Sequence, residues 1–210
     1  MRAALRRYHD DRQEFWNIHP TQISRFPLDF AHLRCKEIEL LFPELVQTIA
    51  SYRSVILVRN PYRRFVSAVA HYFCVCWPAI PMIKLHHSEQ RWLAQNLVQH
   101  LSDNPAIVTA DFRLVHFSPQ AWFIRSDTRQ FANNIIALDG VDRAHSFSEQ
   151  AFQCLGLSPR PLVSRNVSRV DLGHLLDNPR IAAFVRIFYQ EDFEFFVKYP
   201  ALRHLVAEPL

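Results

Sequence analysis

The sequence predicts an α/β protein with a parallel sheet flanked by helices. A short apolar run, Val55–Val58, is rich in β-branched residues, which is typical of a strand buried on both faces of a parallel sheet. A helix with a clear start follows this strand directly. A second strand candidate of the same kind lies at residues 134–138, and helical periodicity dominates much of the remaining chain.

The length and composition predict one globular domain over residues 1–210, with an irregular or helical part at 1–50. The net charge of +4 is mild and argues against a nucleic-acid-binding protein, although it permits an anionic ligand. No apolar run approaches the ~18 residues of a membrane span, and residues 1–12 are too charged for a signal peptide. We therefore expect a cytoplasmic protein. The sequence does not predict its oligomeric state.

The four cysteines do not form a metal-binding pattern. Cys74 and Cys76 are too close for an easy disulfide, and no second pair has the spacing of a zinc site. We expect reduced, partly buried thiols and no metal cofactor.

The individual elements can be predicted in order. Asn60 is expected to cap the central helix, Pro61 suits its first turn, and Ser88 is expected to cap a later helix over residues 89–101. Gly156 is expected to close a helix that begins near residue 147. The other predictions are a polar helix or a frayed start at 2–13, a helix at 28–41, a helical turn at 44–50, a short strand at 121–124, an extended loop at 160–169, and helices at 178–189 and on to 197.

An anion-binding pattern lies at the junction between the central strand and its helix. Arg59 follows the strand, and Arg64 and Ser67 lie in the first turns of the helix. The helix dipole and unpaired N–H groups at a helix start favour an anion, and a guanidinium and a hydroxyl can add donors. An ordinary strand-to-helix junction with a surface arginine is the alternative.

The pattern Arg59-x-Pro61-x-x-Arg64-x-x-Ser67 resembles the 3′-phosphate-binding motif of sulfotransferases that use 3′-phosphoadenosine 5′-phosphosulfate (PAPS). The closest resemblance is to Golgi-type carbohydrate sulfotransferases and their bacterial relatives. Further similar segments follow in order: His116-Phe117-Ser118-Pro119-Gln120, residues 135–157, Asn166-Val167-Ser168 and the last predicted helix. The resemblance covers about residues 51–199.

The resemblance implies a P-loop-NTPase-like sulfotransferase fold. It also implies transfer of a sulfuryl group from PAPS to a hydroxyl acceptor, such as a carbohydrate, with release of 3′-phosphoadenosine 5′-phosphate (PAP). It implies that Arg59 and Ser67, with Arg64, bind the nucleotide. The family's first strand and its Lys-x-Gly-x-x-Ser/Thr loop, which binds the 5′-phosphosulfate, have no match in residues 1–52. We therefore expect the first strand to be missing and enzymatic activity to depend on that loop being supplied.

A sulfotransferase also needs a base that removes the proton of the acceptor. His116 and His19 are the candidates that the resemblance favours, and His71 shares a helix stripe with Arg64 and Ser67. Gln120 and Asn166 are candidates for holding substrate or for bracing loops.

Two rival functions stay open at this point. The chain can be a non-catalytic nucleotide-binding, anion-binding or partner-binding relative of the enzymes, which the missing loop favours. It can also be a basic nucleic-acid-binding protein, against which its modest charge argues.

Overall fold

The structure, a computed structural model, describes residues 18–19, 28–29, 32–79, 82–139, 146–158 and 171–206. The helix predicted at 2–13 and the loop predicted at 160–169 lie outside these residues. The chain divides into two compact units. Unit 1 comprises Met1–Arg59 and Gln120–Arg165, and unit 2 comprises Asn60–Pro119 and Asn166–Leu210. The single-domain prediction stays a prediction.

The described elements are mainly helical, with short strands. The regular elements are β1 (Ile18–His19), β2 (Leu28–Asp29), α1 (Cys35–Leu41), α2 (Val46–Ser51), β3 (Val55–Val58), α3 (Pro61–His71), α4 (His87–Asp103), α5 (Ile107–Ala110), α6 (Ala121–Ile124), β4 (Asn134–Ala137), α7 (Ser146–Cys154), α8 (Pro179–Phe188) and α9 (Gln190–Lys198). A π-helix covers Tyr72–Cys76, and 3-10 helices cover Pro43–Leu45, Met82–Lys84, Phe112–Phe117, Gly173–Asp177 and Pro200–Val206.

Unit 1 contains a parallel pair of strands, as the sequence predicts. Strand β3 pairs with β4 in parallel, with Val55 opposite Asn134 and Val58 opposite Ala137. The general α/β class is therefore confirmed. The predicted burial is wrong for most of β3, because only Val58 is buried and the residues before it are half-exposed. In the described residues each strand has one neighbour, so this sheet is smaller than the large buried sheet that the apolar run predicts.

Two predictions for unit 1 are wrong in part. The helix predicted at 28–41 begins only at Cys35, because Leu28–Asp29 pairs with Ile18–His19 in an antiparallel ladder. The predicted strand at 121–124 is helix α6. A four-residue aromatic segment has no periodicity that separates the two forms. The predicted helix before Gly156 is confirmed, and Gly156 takes a positive φ of 71° at its end.

Unit 2 is a group of helices around α3. Phe65 of α3 lies 5.9 Å from Phe117 and 5.8 Å from Phe184 of α8, measured between ring centroids, and both pairs meet edge to face. All three rings are buried. Helical spacing places Phe65 and Val69 on one face of α3, and both are buried, so the face that carries Ser67 and His71 is left for other contacts.

The start of α4 differs from its prediction. His86, not Ser88, caps the helix: the His86 ring accepts a hydrogen bond from Ser88 N–H, and Glu89 accepts one from His86 N–H. Its helical spacing with Leu97 and Leu101 predicts that Trp92 lies in the core, but 63% of the surface of Trp92 is exposed. Within the described ranges, no helix has the length and apolar character needed to cross a bilayer.

Candidate functional site

The first turn of α3 is fixed by Asn60. Its side-chain oxygen accepts hydrogen bonds from Tyr62 N–H at 2.9 Å and Arg63 N–H at 3.3 Å. Its amide nitrogen donates to Leu205 O at 3.0 Å. Pro61 has no N–H, so the first amides of the helix are those of Tyr62 and Arg63. The side chain of Asn60 already binds both of these amides, which we expected to bind an anion. The expectation of unpaired N–H groups here is wrong, and only the helix dipole still favours an anion at this point.

Arg59, at the end of β3, has a fixed main chain and an available side chain. Its N–H donates to Oε1 of Gln120 and its C=O accepts from Nε2 of Gln120, both at 2.9 Å. Its guanidinium makes no hydrogen bond or ion pair with any described residue, although Arg59 is half-buried. A half-buried guanidinium held on a rigid backbone is suited to bind an anion.

Gln120 continues the pairing of β3 on its second edge. Leu138 N–H donates to Val58 O, so the main chain of Val58 faces β4. Successive residues of a strand direct their main-chain groups to opposite sides, so Arg59 directs its own away from β4, where the carboxamide of Gln120 meets them. Gln120 is only 3% exposed. These contacts fit the bracing role for Gln120 better than substrate binding.

Ser67 and Arg64, on α3 in unit 2, differ in availability. Ser67 is exposed, and its hydroxyl makes no hydrogen bond to another described residue. Arg64 instead donates from Nε and Nη2 to the carbonyl oxygen of the buried Ser118, at 3.2 and 2.9 Å. Arg64 therefore fixes the turn after His116, whereas Ser67 has a donor to offer a ligand.

Two of the histidines named as candidates from the sequence contact each other in unit 2. The ring centroids of His71 on α3 and His116 lie 4.0 Å apart, with planes at 58°. Both rings are half-buried. Ser67 lies four residues before His71 on the same face of the helix, about 6 Å along its axis. The hydroxyl of Ser67 and the histidine pair thus lie on one face of α3.

The 3-10 helix that holds His116 has its own anchor. Asp111 caps it by accepting a hydrogen bond from Arg113 N–H at 2.9 Å, and its carboxylate also pairs with the Arg113 side chain. The Arg113 hydrogen bond lowers the pKa of Asp111, since it favours the charged carboxylate. Together with the bond from Arg64 to Ser118, this cap fixes both ends of the segment that holds His116.

A buried polar group behind Arg64 was missed by the sequence reasoning. Tyr189 and Asp192, at the junction of α8 and α9, are fully buried, and the Tyr189 hydroxyl has no hydrogen-bond partner among the described residues. Burial raises the pKa of Tyr189, while the charge of Arg64 acts in the opposite direction. The charges of Asp192 and Glu194 beside aromatic residues are typical of a solvated helix edge, so only the three-dimensional packing identifies this buried group.

Two candidates cannot be placed at the side-chain level. The backbone of His19 lies in β1 of unit 1, opposite Leu28. Asn166 lies outside the described residues. The described residues include no group of three or more His, Cys, Asp or Glu side chains arranged to hold a metal ion.

Comparison of the chain with protein-family models gives no match, and comparisons with curated proteins and with solved structures give none either.

Proposed function

We propose that this chain is a sulfotransferase-like protein that binds PAPS and PAP through the motif from Arg59 to Ser67. The observation that carries the proposal is that the side chains of Arg59 and Ser67 make no hydrogen bond to a described residue, whereas Arg64 between them donates to Ser118 O. The motif also keeps the order strand, capped turn and helix that the resemblance requires. The fold proposed with it is the P-loop-NTPase-like sulfotransferase fold.

In this proposal the 3′-phosphate of the nucleotide accepts hydrogen bonds from the Arg59 guanidinium and the Ser67 hydroxyl. Arg59 offers a planar fork of donors, which matches two phosphate oxygens. Arg64 acts indirectly, because it fixes the turn beside His116. Gln120 acts indirectly as well, because it fixes the main chain of Arg59.

The chemical step is transfer of the sulfuryl group to a hydroxyl acceptor, and a carbohydrate is the proposed class of acceptor. The acceptor oxygen forms a bond to sulfur while the bond from sulfur to the 5′-phosphate oxygen breaks, and PAP leaves with the electron pair. His116 takes the proton of the acceptor hydroxyl, and the adjacent His71 orients its ring. Negative charge develops on the leaving phosphate, so a catalyst also needs positive charge there.

The second candidate function is nucleotide binding without catalysis. One observation favours it: residues 1–52 contain no glycine, and hence no Lys-x-Gly loop for the 5′-phosphosulfate. This candidate shares the nucleotide site of the first and differs only in the transfer step.

Calorimetric titration with PAP tests the shared site. We expect wild type to bind and Arg59→Ala to weaken binding roughly 10- to 150-fold, as for loss of a charge-assisted hydrogen bond. Ser67→Ala should weaken it less, because a neutral donor is lost. The matched controls are Arg180→Ala and Ser102→Ala, an exposed arginine and an exposed helix serine elsewhere in unit 2.

Adenosine 5′-phosphate, which lacks the 3′-phosphate, should bind weakly to all variants. If PAP binds no better than adenosine 5′-phosphate, or if Arg59→Ala binds like wild type, the motif does not bind a 3′-phosphate and the proposal fails.

A transfer assay then separates the two candidates. With radiolabelled PAPS and a panel of carbohydrate acceptors, an enzyme should lose roughly 100- to 10,000-fold of its rate in His116→Gln while its affinity for PAP is kept. His100→Gln, an exposed histidine on α4, is the control. Binding of PAP without transfer to any acceptor would support the non-catalytic candidate.

A further inference from the structure

A cluster of basic side chains lies at the start of α4, separate in sequence from the motif between Arg59 and Ser67. The imidazole rings of His87 and His174 stack with centroids 3.9 Å apart and planes 11° apart. His87 is the first residue of α4, and Arg91 follows one turn later on the same face. His174 lies in the 3-10 helix Gly173–Asp177, which packs against α4 within unit 2.

These three side chains leave their donors unused. Within the described parts of the chain, none of them makes a hydrogen bond or an ion pair. Nε of Arg91 and Nε2 of His174 are also covered from solvent and without a partner. Buried polar atoms in native proteins are nearly always hydrogen-bonded, so a ligand that enters between these side chains would supply acceptors that the two nitrogens lack.

The electrostatics of the cluster agree with this reading. Burial lowers the pKa of His174, and His87 and then Arg91 lower it further, since each disfavours a second positive charge. Asp177 and Asp171 act in the opposite direction with smaller effects. Without a ligand, His174 therefore resists protonation. An anion placed among the three basic groups would reverse that preference.

We propose that His87, Arg91 and His174 bind a tetrahedral oxyanion, namely a phosphate or sulfate group. The guanidinium of Arg91 supplies a fork of donors and a positive charge, and the ring N–H groups of His87 and His174 supply the other donors. A tetrahedral group offers more acceptor oxygens and, as phosphate, more charge than a carboxylate. The inference is independent of the proposed function, because none of these residues belongs to the motif that binds PAP.

Binding of the oxyanion takes up protons. In the ligand-free protein His174 is neutral at pH values above its lowered pKa, and the bound anion raises that pKa. Affinity for sulfate, whose charge does not change in this range, should therefore strengthen as pH falls through the window around the ordinary histidine pKa of about 6.5, up to about tenfold per pH unit for each proton taken up.

The test is an NMR titration of the histidine ring resonances with inorganic phosphate and, separately, with a small organic phosphate ester. The protein carries Arg59→Ala, so that binding at the proposed nucleotide site does not contribute. We expect saturable shifts of the His87 and His174 rings and a raised pKa for His174. Sulfate, used in place of phosphate, should bind more tightly at lower pH. Stronger binding of the ester would identify an oxyanion carried on a larger molecule, and equal binding would identify the free ion.

Arg91→Gln should weaken phosphate binding roughly tenfold or more, whereas His100→Gln and Arg180→Gln should not change it. Circular dichroism checks that each variant is folded, and the titration of the Arg59→Ala protein is informative even if Arg91→Gln is not. The proposal is overturned if phosphate shifts the His174 ring without saturation, if its pKa stays unchanged, or if folded Arg91→Gln binds as tightly as its controls.

Discussion

Replacing Gln120 by methionine tests whether its carboxamide braces the end of β3. Methionine has nearly the same length and shape but no hydrogen-bonding amide. The change removes both hydrogen bonds to the main chain of Arg59 and leaves its N–H and C=O without those partners. A buried main-chain N–H or C=O that loses its hydrogen bond costs about 1–3 kcal/mol. Because Arg59 is half-buried, we expect the two lost bonds to lower the free energy of unfolding by about 2–4 kcal/mol in total.

Urea unfolding of the two proteins measures this loss. With a slope of about 2 kcal/mol per molar urea, the midpoint should fall by about 1–2 M. The control is Gln130→Met, since Gln130 is exposed and its carboxamide donates to Ala132 O, only two residues along the chain. Its effect should stay within about 0.5 kcal/mol. If Gln120→Met unfolds at the same urea concentration as Gln130→Met, the bracing argument is refuted.

Three further predictions concern the stability and chemistry of single positions. Gly156→Ala should lower the free energy of unfolding by about 1 kcal/mol in thermal melts, because φ is positive there. Burial raises the pKa of the Cys35 thiol to about 12, so iodoacetamide at neutral pH should alkylate the exposed Cys74 and leave Cys35 unmodified in mass spectra. Asp111→Ala should cost about 1 kcal/mol near pH 7 in urea unfolding, as a lost helix cap. Because Arg113 lowers the pKa of Asp111, that difference should shrink only as pH falls below about 4.

Local patterns made much of the fold predictable. The strand Val55–Val58, the cap at Asn60 and the helix that follows depend on residues close together in the sequence, and all three are confirmed. The same holds for Gly156 at the end of α7. In each case the determining interactions lie within a few residues, which is the range over which propensity and capping rules operate.

Features that depend on distant partners were not predictable. Nothing in the apolar run at β3 indicates that its described sheet has only two strands, or that Gln120 would occupy its second edge. The stack of His87 on His174 joins segments that share no sequence pattern. The residues of the candidate site were predicted from the sequence, but which of their side chains can reach a ligand was not. Only the structure shows that Arg64 is hydrogen-bonded to Ser118, whereas Ser67 is exposed.

The oxygen and the nitrogen of the Asn60 side chain form their hydrogen bonds at different times during synthesis of the chain. Its oxygen caps amides two and three residues away, so that contact can form as soon as this stretch leaves the ribosome. Its nitrogen bonds to Leu205, 145 positions later. At bacterial or eukaryotic synthesis rates of about 5–20 residues per second, the second contact has to wait roughly 7–30 s. During translation the start of the helix is thus capped first by this local contact, and the hydrogen bond to Leu205 is added only when the end of the chain has been made.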